Sequence, residues 1–484
     1  MEQEIIEKKN KERSLKYSIF EGSFYSLTVG FGESYFPAFA IFQKATDTQL
    51  GLLTSIPQLF GSIFQLASNK LIEIYKSRKK IITIAALIQA LILIPLMLTV
   101  FIKTNSILYL ILFTAVYKAA AMIISPLWSS WMGDLVESEK RGDYFGRRNK
   151  ITGAIAFIAL IAGGLILNLF ENNSFKSYTG FIIVFLFAFI GRIVSFAFLT
   201  KKYEPIYLER EEDKFTLVQF LNRIFKGNYG VFVVFLSLMY LAVNISAPYF
   251  TAYIFKELNF SYLQYMIITA ISVVVKFIVM PMWGRYSDLY GNKKSLVLCS
   301  FLLAVIPLLW LISKDFYYIM LIQAYSGFVW AGFELASFNF VFDSTTPQKR
   351  VRCLAYYTLI NGIGILIGTT MGSLLINNSQ LFAAIIKSKY MFVFAVSGVL
   401  RLLIAAIFML KIREMRNVQE ISYKDLLLKI SGMEQPTAGI SNMLIIIEDK
   451  IEDGFDHLGS KIKDMGYKID GIIKKDKPKK KYQV

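Results

Sequence analysis

At 484 residues the chain has the length of three ordinary soluble domains, but 55% of its residues are hydrophobic, 15% aromatic and only 18% charged, against roughly 25% charged in a soluble chain. Eleven prolines, two cysteines and long apolar runs exclude a collagen, a disulfide scaffold and a disordered protein. A net charge of +18 in so oily a chain leaves two classes, a membrane protein or a nucleic-acid binder, and the placement of the cations separates them.

A helix crosses a bilayer with about 20 mainly apolar residues and must satisfy its own backbone there. In chain order the sequence predicts twelve such spans: Tyr17–Phe42, Gln49–Leu71, Ile81–Ile102, Ile107–Trp131, Ile151–Phe170, Gly180–Thr200, Tyr229–Phe255, Tyr262–Trp283, Ser295–Ile312, Phe316–Phe342, Leu354–Ile376 and Tyr390–Leu410. The first is too long, and too interrupted by Glu21 and Glu33, for a cleavable signal. On this threading 42 Lys and Arg fall on the side of the N-terminus, 7 on the other side and 4 within spans. The excess places both termini in the cytoplasm of a multi-pass inner-membrane protein. A nucleic-acid partner, which requires a basic groove interleaved with aromatics, has no support.

The chain repeats itself. Asp134 with Lys140-Arg141 returns as Asp343 with Lys349-Arg350, Gly153 as Gly362 and Arg192 as Arg401, all at an offset of 209. Earlier in each half the offset is 214–215: Tyr35-Phe36-x-Ala38-Phe39 matches Tyr249-Phe250-x-Ala252-Tyr253, and Thr46-x-x-Gln49 matches Ser261-x-x-Gln264. The expected fold is therefore all-α and polytopic, twelve transmembrane helices as two parallel six-helix repeats. Its divisions are a cytoplasmic N-terminal tail (1–16), a first bundle (17–200), a cytoplasmic linker (201–228), a second bundle (229–410) and a cytoplasmic amphipathic, basic tail (411–484).

Between spans eight and nine stands Gly284-Arg285-Tyr286-Ser287-Asp288-Leu289-Tyr290-Gly291-Asn292-Lys293-Lys294. The first half carries a degenerate copy, with Glu73, Arg78 and Lys79 kept but Asn69 and Lys76 in place of the glycines. Glycine lets such a turn close tightly. Asp288 can face the positive N-terminus of a neighbouring helix, and Arg285 and Lys293 can pair with acids across the loops. The motif resembles the loop signature of the major facilitator superfamily, and Asp134 to Arg141-Gly142, repeated at Asp343 and Arg350, resembles that family's second cytoplasmic loop signature. The resemblance covers about residues 15–410. It implies that these loops are a cytoplasmic latch favouring the outward-open state, and that spans one, four, seven and ten line a central cavity. The Gly-Pro and Pro-Glu-Ser patterns of the family's drug antiporters and sugar porters are missing.

Ionisable residues inside a bilayer cost several kcal/mol and call for an explanation. Arg192 and Arg401 are repeat-equivalent, which suits one structural task performed twice. The others are unmatched: Glu33 faces Ala247, Glu21 faces Phe235, Lys118 faces Gly327, Lys276 faces Gly61 and Glu334 faces Ser125. Lys118 lies near its helix midpoint, and Lys276, Glu33 and Glu334 lie within about 7 Å of theirs. Two readings stand. In one, Glu33 or Glu334 carries a proton and Lys118 or Lys276 holds an anionic substrate group; in the other, Glu–Lys pairs merely neutralise one another. Glu21, about a turn inside the cytoplasmic end, is expected to be solvated or paired with the loops.

Gly364-x-x-x-Gly368-x-x-x-Gly372 predicts close helix approach, and Gly163-Gly164 can do likewise. Cys299 and Cys353 have no metal or redox spacing and read as buried thiols. In the tail, Leu444, Ile451, Leu458, Met465 and Ile472 fall seven apart, a coiled-coil or membrane-surface pattern ahead of the basic end Lys474–Lys481, which a solvated terminus fits equally. The expected function is secondary active transport of a small organic solute by alternating access, coupled to protons, by a monomer in which the tail can mediate association. A non-transporting sensor or scaffold signalling through the tail is the alternative. No cofactor, metal site or nucleophile–base pair is found, so an enzyme is not expected.

Overall fold

The chain is described as a computed structural model. It covers residues 2–426 apart from 103–105, 138–140, 172–173, 206–215, 346, 383–387, 417, 420 and 424. The heptad stripe of the tail lies outside the described residues. Residues 1–419 form one compact unit and 420–484 a second; the described part of the second is a single turn, in which the Ser422 hydroxyl accepts from the Asp425 backbone.

Among the described residues the secondary structure is entirely helical: α1 Glu2–Phe31, α2 Phe36–Phe42, α3 Asp47–Tyr75, α4 Arg78–Leu98, α5 Ser106–Leu135, α6 Arg141–Leu169, α7 Ser174–Lys201, α8 Leu217–Asn222, α9 Asn228–Lys256, α10 Tyr262–Tyr290, α11 Asn292–Leu309, α12 Phe316–Ser344, α13 Pro347–Asn377 and α14 Lys389–Met409. Eleven are long and apolar enough to cross a membrane. α1 falls outside that set because its first half is charged and its apolar part stops at Phe31. The sequence predicts one continuous first span, Tyr17–Phe42; the helix instead breaks at Gly32, passes through a 3₁₀ turn at Glu33–Tyr35 and restarts as α2 with proline at its start. Pro37 has no N–H to give the Glu33 carbonyl, and its ring clashes with that carbonyl, so the α1 helix cannot run through.

The repeat is visible in the backbone. Thr46 and Ser261 each close a complete capping box, with Gln49 and Gln264, at the start of α3 and α10. Lys44 and Asn259, equivalent at an offset of 215, both take positive φ. At the other end of the same helices Lys76 (φ 52) and Gly291 (φ 92) do so again, so the lysine that replaces a signature glycine keeps the left-handed turn. Packing repeats as well: α1 with α6 and α7, α3 with α5, and α4 with α5 and α7 recur as α9 with α13 and α14, α10 with α12, and α11 with α12 and α14. The broadest contacts between the halves are α3 against α13 and α6 against α10, with smaller ones from α2 and α3 to α9.

Glycines set the closest approaches. A Cβ on Gly364, Gly368 or Gly372 would lie 2.7, 2.2 or 2.2 Å from the carbonyl oxygen of Ser237, Leu241 or Ile245, so the predicted stripe seats α13 on the backbone of α9. Gly163 lies under the Tyr35 ring and Gly164 under Met266 of α10. Gly284 departs from expectation: it is helical, inside α10, and a Cβ there would meet nothing nearer than Leu335 at 3.8 Å. The two substitutions should therefore part company in thermal unfolding of purified protein. Gly368→Ala is expected to cost about 1–3 kcal/mol by overpacking, whereas Gly284→Ala should be neutral or stabilising by up to about 1 kcal/mol.

Candidate functional site

The break after α1 leaves Glu33 half-buried in the turn between α1 and α2. Tyr25 and Tyr117 both donate to one of its carboxylate oxygens, at 3.2 and 2.9 Å. The Arg192 guanidinium lies 4.6 Å over the Tyr25 ring and donates to the Gln89 side-chain oxygen and to Ser195. Gln89 closes the circuit by donating to the Tyr117 carbonyl at 3.2 Å. Two donors on one oxygen hold the Glu33 carboxylate in place beside the buried arginine circuit.

Arg401 does the equivalent bracing with neutral oxygens alone. It donates to Ser397 (3.1 Å), the Leu303 carbonyl (3.0 Å) and Ser246 (2.8 Å). Both arginines thus tie the last helix of their half, α7 or α14, to α4 or α11 and to α1 or α9. Glu21 is buried rather than solvated: Arg148 of α6 lies 3.5 Å away and the Trp128 indole donates at 3.3 Å.

Lys276 of α10 and Glu334 of α12 form an ion pair, each side chain partly exposed. Lys118, half-buried in α5, makes no ion pair or hydrogen bond to a described residue. Its chain lies against Gly61 of α3, where an added Cβ would sit 3.3 Å from the Lys118 Cγ. Of the four unmatched mid-span candidates, two therefore pair with each other, one joins the arginine circuit and one stands alone.

On the side of the N-terminus the described ion pairs of the loop residues stay within their own half. Arg78 is fully buried, 2.6 Å from Asp134 and 3.6 Å from Glu204. Glu204 accepts from the Arg78 and Lys79 amides, capping α4, and the Lys79 ammonium donates to the Lys202 carbonyl. In the second half Glu414 accepts from the Lys293 amide at the start of α11, at the same offset of 215. There the base comes from beyond α14: Arg416 lies 2.8 Å from Asp343 and 3.4 Å from Asp288. Asp288 thus meets an arginine and not a helix N-terminus. A Cβ on Gly291 would lie 2.2 Å from the Glu414 carboxylate, so both its φ and its surroundings demand glycine. Glu73 and Arg285 are exposed, and Lys294 half-buried. The side chains of Arg141 and Arg350 lie outside the described residues.

The opposite side holds a residue that sequence reasoning passed over. Asp47, in the first turn of α3 and only 7% exposed, accepts from Lys256 at 3.0 Å, Lys389 at 2.5 Å and the Tyr390 hydroxyl at 2.9 Å. All three donors belong to the second half, at the end of α9 and the start of α14. Beside them Ser373 donates to Thr48 at 2.8 Å. At the second seam Glu171, just past α6, takes a hydrogen bond from the Tyr262 backbone at the start of α10; burial lifts its carboxyl above the usual carboxylate range, against that bond. One signal was available: Asp47 faces Tyr262 in the repeat, an unmatched acid like the others, but it reads as part of a capping box.

The sequence matches the Major Facilitator Superfamily over residues 22–245 and again over 232–446. No curated protein matches it in sequence. Among solved structures, the nucleoside transporter NupG is 14% identical with a TM-score of 0.64, over 83% of this chain and 100% of its own. A D-xylose–proton symporter is 13% identical at 0.63, over 84% and 99%. An auto-inhibited POT family peptide transporter is 12% identical at 0.63, over 85% and 99%. At these identities the likeness is one of fold, and the repeated motifs, the repeated packing and the two sequence matches agree: the chain belongs to the Major Facilitator Superfamily.

Proposed function

We propose that the protein is a proton-coupled secondary transporter that moves a small organic solute across the cytoplasmic membrane by alternating access. The carrying observation is the clasp at Asp47: three donors of the second half converge on one acid of the first, while the described cytoplasmic loop pairs stay within their halves. An entrance shut on one side beside unlinked loops on the other suits a state open to the cytoplasm. On this reading α1 with α2 is the twelfth span, the bundles are 17–200 and 229–410, and both termini are cytoplasmic. The cytoplasmic loops latch across the halves only when the clasp opens.

Glu334 is the carboxylate best suited to carry the proton. Its cationic partner, Lys276, sits on a neighbouring helix and both side chains are partly exposed, so protonation frees the lysine directly. Glu33 is instead held by two phenols beside the arginine circuit, a fixed contact and not an exchangeable one. The related structures named above include a proton symporter, which adds support to coupling without fixing the ion.

Two outcomes follow. Cysteines in place of Thr48 and Ser373 should cross-link efficiently in resting protein, and adding Asp47→Asn should lower the closed population roughly tenfold, since two cations lose their shared counter-charge. Unchanged cross-linking would remove the clasp as a gate. In proteoliposomes loaded with a substrate found by thermal-shift screening, Glu334→Gln should abolish accumulation driven by a pH gradient yet leave exchange. Flux indifferent to the gradient, or to Glu33→Gln and Glu334→Gln together, would remove proton coupling.

A further inference from the structure

The two seams between the halves are copies of one contact. A Cβ on Gly362 of α13 would lie 2.5 Å from the Ser62 hydroxyl of α3, and one on Gly153 of α6 would lie 2.9 Å from the Phe277 ring of α10. Gly153 and Gly362 are equivalent at an offset of 209, Ser62 and Phe277 at 215. Each contact has a lysine one residue away. Lys276 precedes Phe277; Lys118 lies against Gly61, which precedes Ser62.

The two lysines come from different helices yet serve the same crossing. In the first half Gly61 of α3 meets Lys118 of α5. In the second half Lys276 stands at the Gly61 position of α10, and Gly327 stands at the Lys118 position of α12. A Cβ on Gly327 would meet the Ser272 carbonyl, one turn before Lys276, at 2.2 Å. Glycine and lysine have exchanged places, so a lysine is present at the matching level in both halves.

The acid has not been duplicated. Glu334 neutralises Lys276, but its equivalent beside Lys118 is Ser125. Glu33 is taken by Tyr25 and Tyr117 next to Arg192, and Arg401 is 2% exposed and surrounded by neutral oxygens. Among the described mid-span charges that leaves Lys118 as the cation that is both accessible and uncompensated. An unpaired ammonium at that depth is costly, and an arriving anion offsets the cost.

We propose that the transported solute is a small organic anion whose carboxylate or phosphate seats on Lys118, with the Lys276–Glu334 pair of the other half as its second contact. This rests on the transporter reading above. A lysine offers a compact charge with no planar fork, so either oxyanion fits it. Because Lys276 keeps its own acid, Lys118 supplies the uncompensated positive charge for the anion.

The test uses the full chain in lipid nanodiscs at constant ionic strength. Small carboxylates and phosphate monoesters (benzoate, succinate, glycerol 3-phosphate and their relatives) are compared with the matching amides and alcohols, with sulfate as the inorganic control, by thermal shift and calorimetry. At least one organic anion should raise the Tm by several degrees while its neutral counterpart does not. Lys118→Gln should weaken that anion at least tenfold, Lys118→Arg should retain most of the binding, and Glu334→Gln should tighten it by freeing Lys276. Equal binding of a neutral counterpart, equal binding by Lys118→Gln, or no response to any organic anion overturns the proposal. Cross-linking of the Thr48→Cys, Ser373→Cys protein separates the two readings and reports whether Lys118→Gln is folded. If Asp47→Asn still changes its yield, only the anion assignment has failed; if it does not, the alternating-access reading fails with it.

Discussion

A charge inside an apolar slab has to be answered by the protein itself, because no water is there to do it. That constraint orders the interior of this chain more than any other. It explains why Tyr25, Tyr117 and Gln89 converge around Glu33 and Arg192. It explains why Arg401, lacking an acid, gathers serines and backbone carbonyls from two other helices. It also makes the Lys276–Glu334 pair intelligible as a contact that can be exchanged: both partners are partly exposed, so substituting another ion for either one is far less costly than in a sealed core.

The two halves share a backbone plan but solve the same problems with different side chains. Lys76 and Gly291 turn the chain at matching positions, one at some strain and one without it. Glu204 and Glu414 cap matching helices, yet the arginine that ties the neighbouring acids comes from the loop itself in the first half and from the segment after α14 in the second. Residues 411–419 are consequently part of the compact unit: Gln419 donates to the Leu289 carbonyl, and Glu414 and Arg416 bind the loop after α10. A fold that keeps its crossings while moving its charges from helix to helix can acquire a new substrate preference without new architecture.

Much of this was legible beforehand, and the exceptions have physical causes. Hydropathy and length found the long helices because the bilayer demands both, and the glycine stripe of α13 showed its close approach because nothing larger fits between two backbones. The repeat singled out Glu33, Lys118, Lys276 and Glu334 by their lack of counterparts. It gave no pairing, since Lys276 and Glu334 stand 58 residues apart on separate helices and only packing brings them together. Asp47 escaped notice because an acid in the first turn of a helix already has a local explanation. The break after Phe31 was obscured by reading hydropathy, which does not register that Pro37 lacks an N–H.

That break has a mechanical meaning. α1 packs on α6 and α7 of its own half; α2 stays against α7 through Phe39 and Phe42 on Phe181 and also reaches α9 of the other half. The short turn between them is therefore where the long helix of the first half meets the segment that also touches the second, and Glu33 is mounted on it. Under the proposed alternating access, a shift of α9 against α2 reaches the carboxylate through one short turn, without passing along the whole of α1.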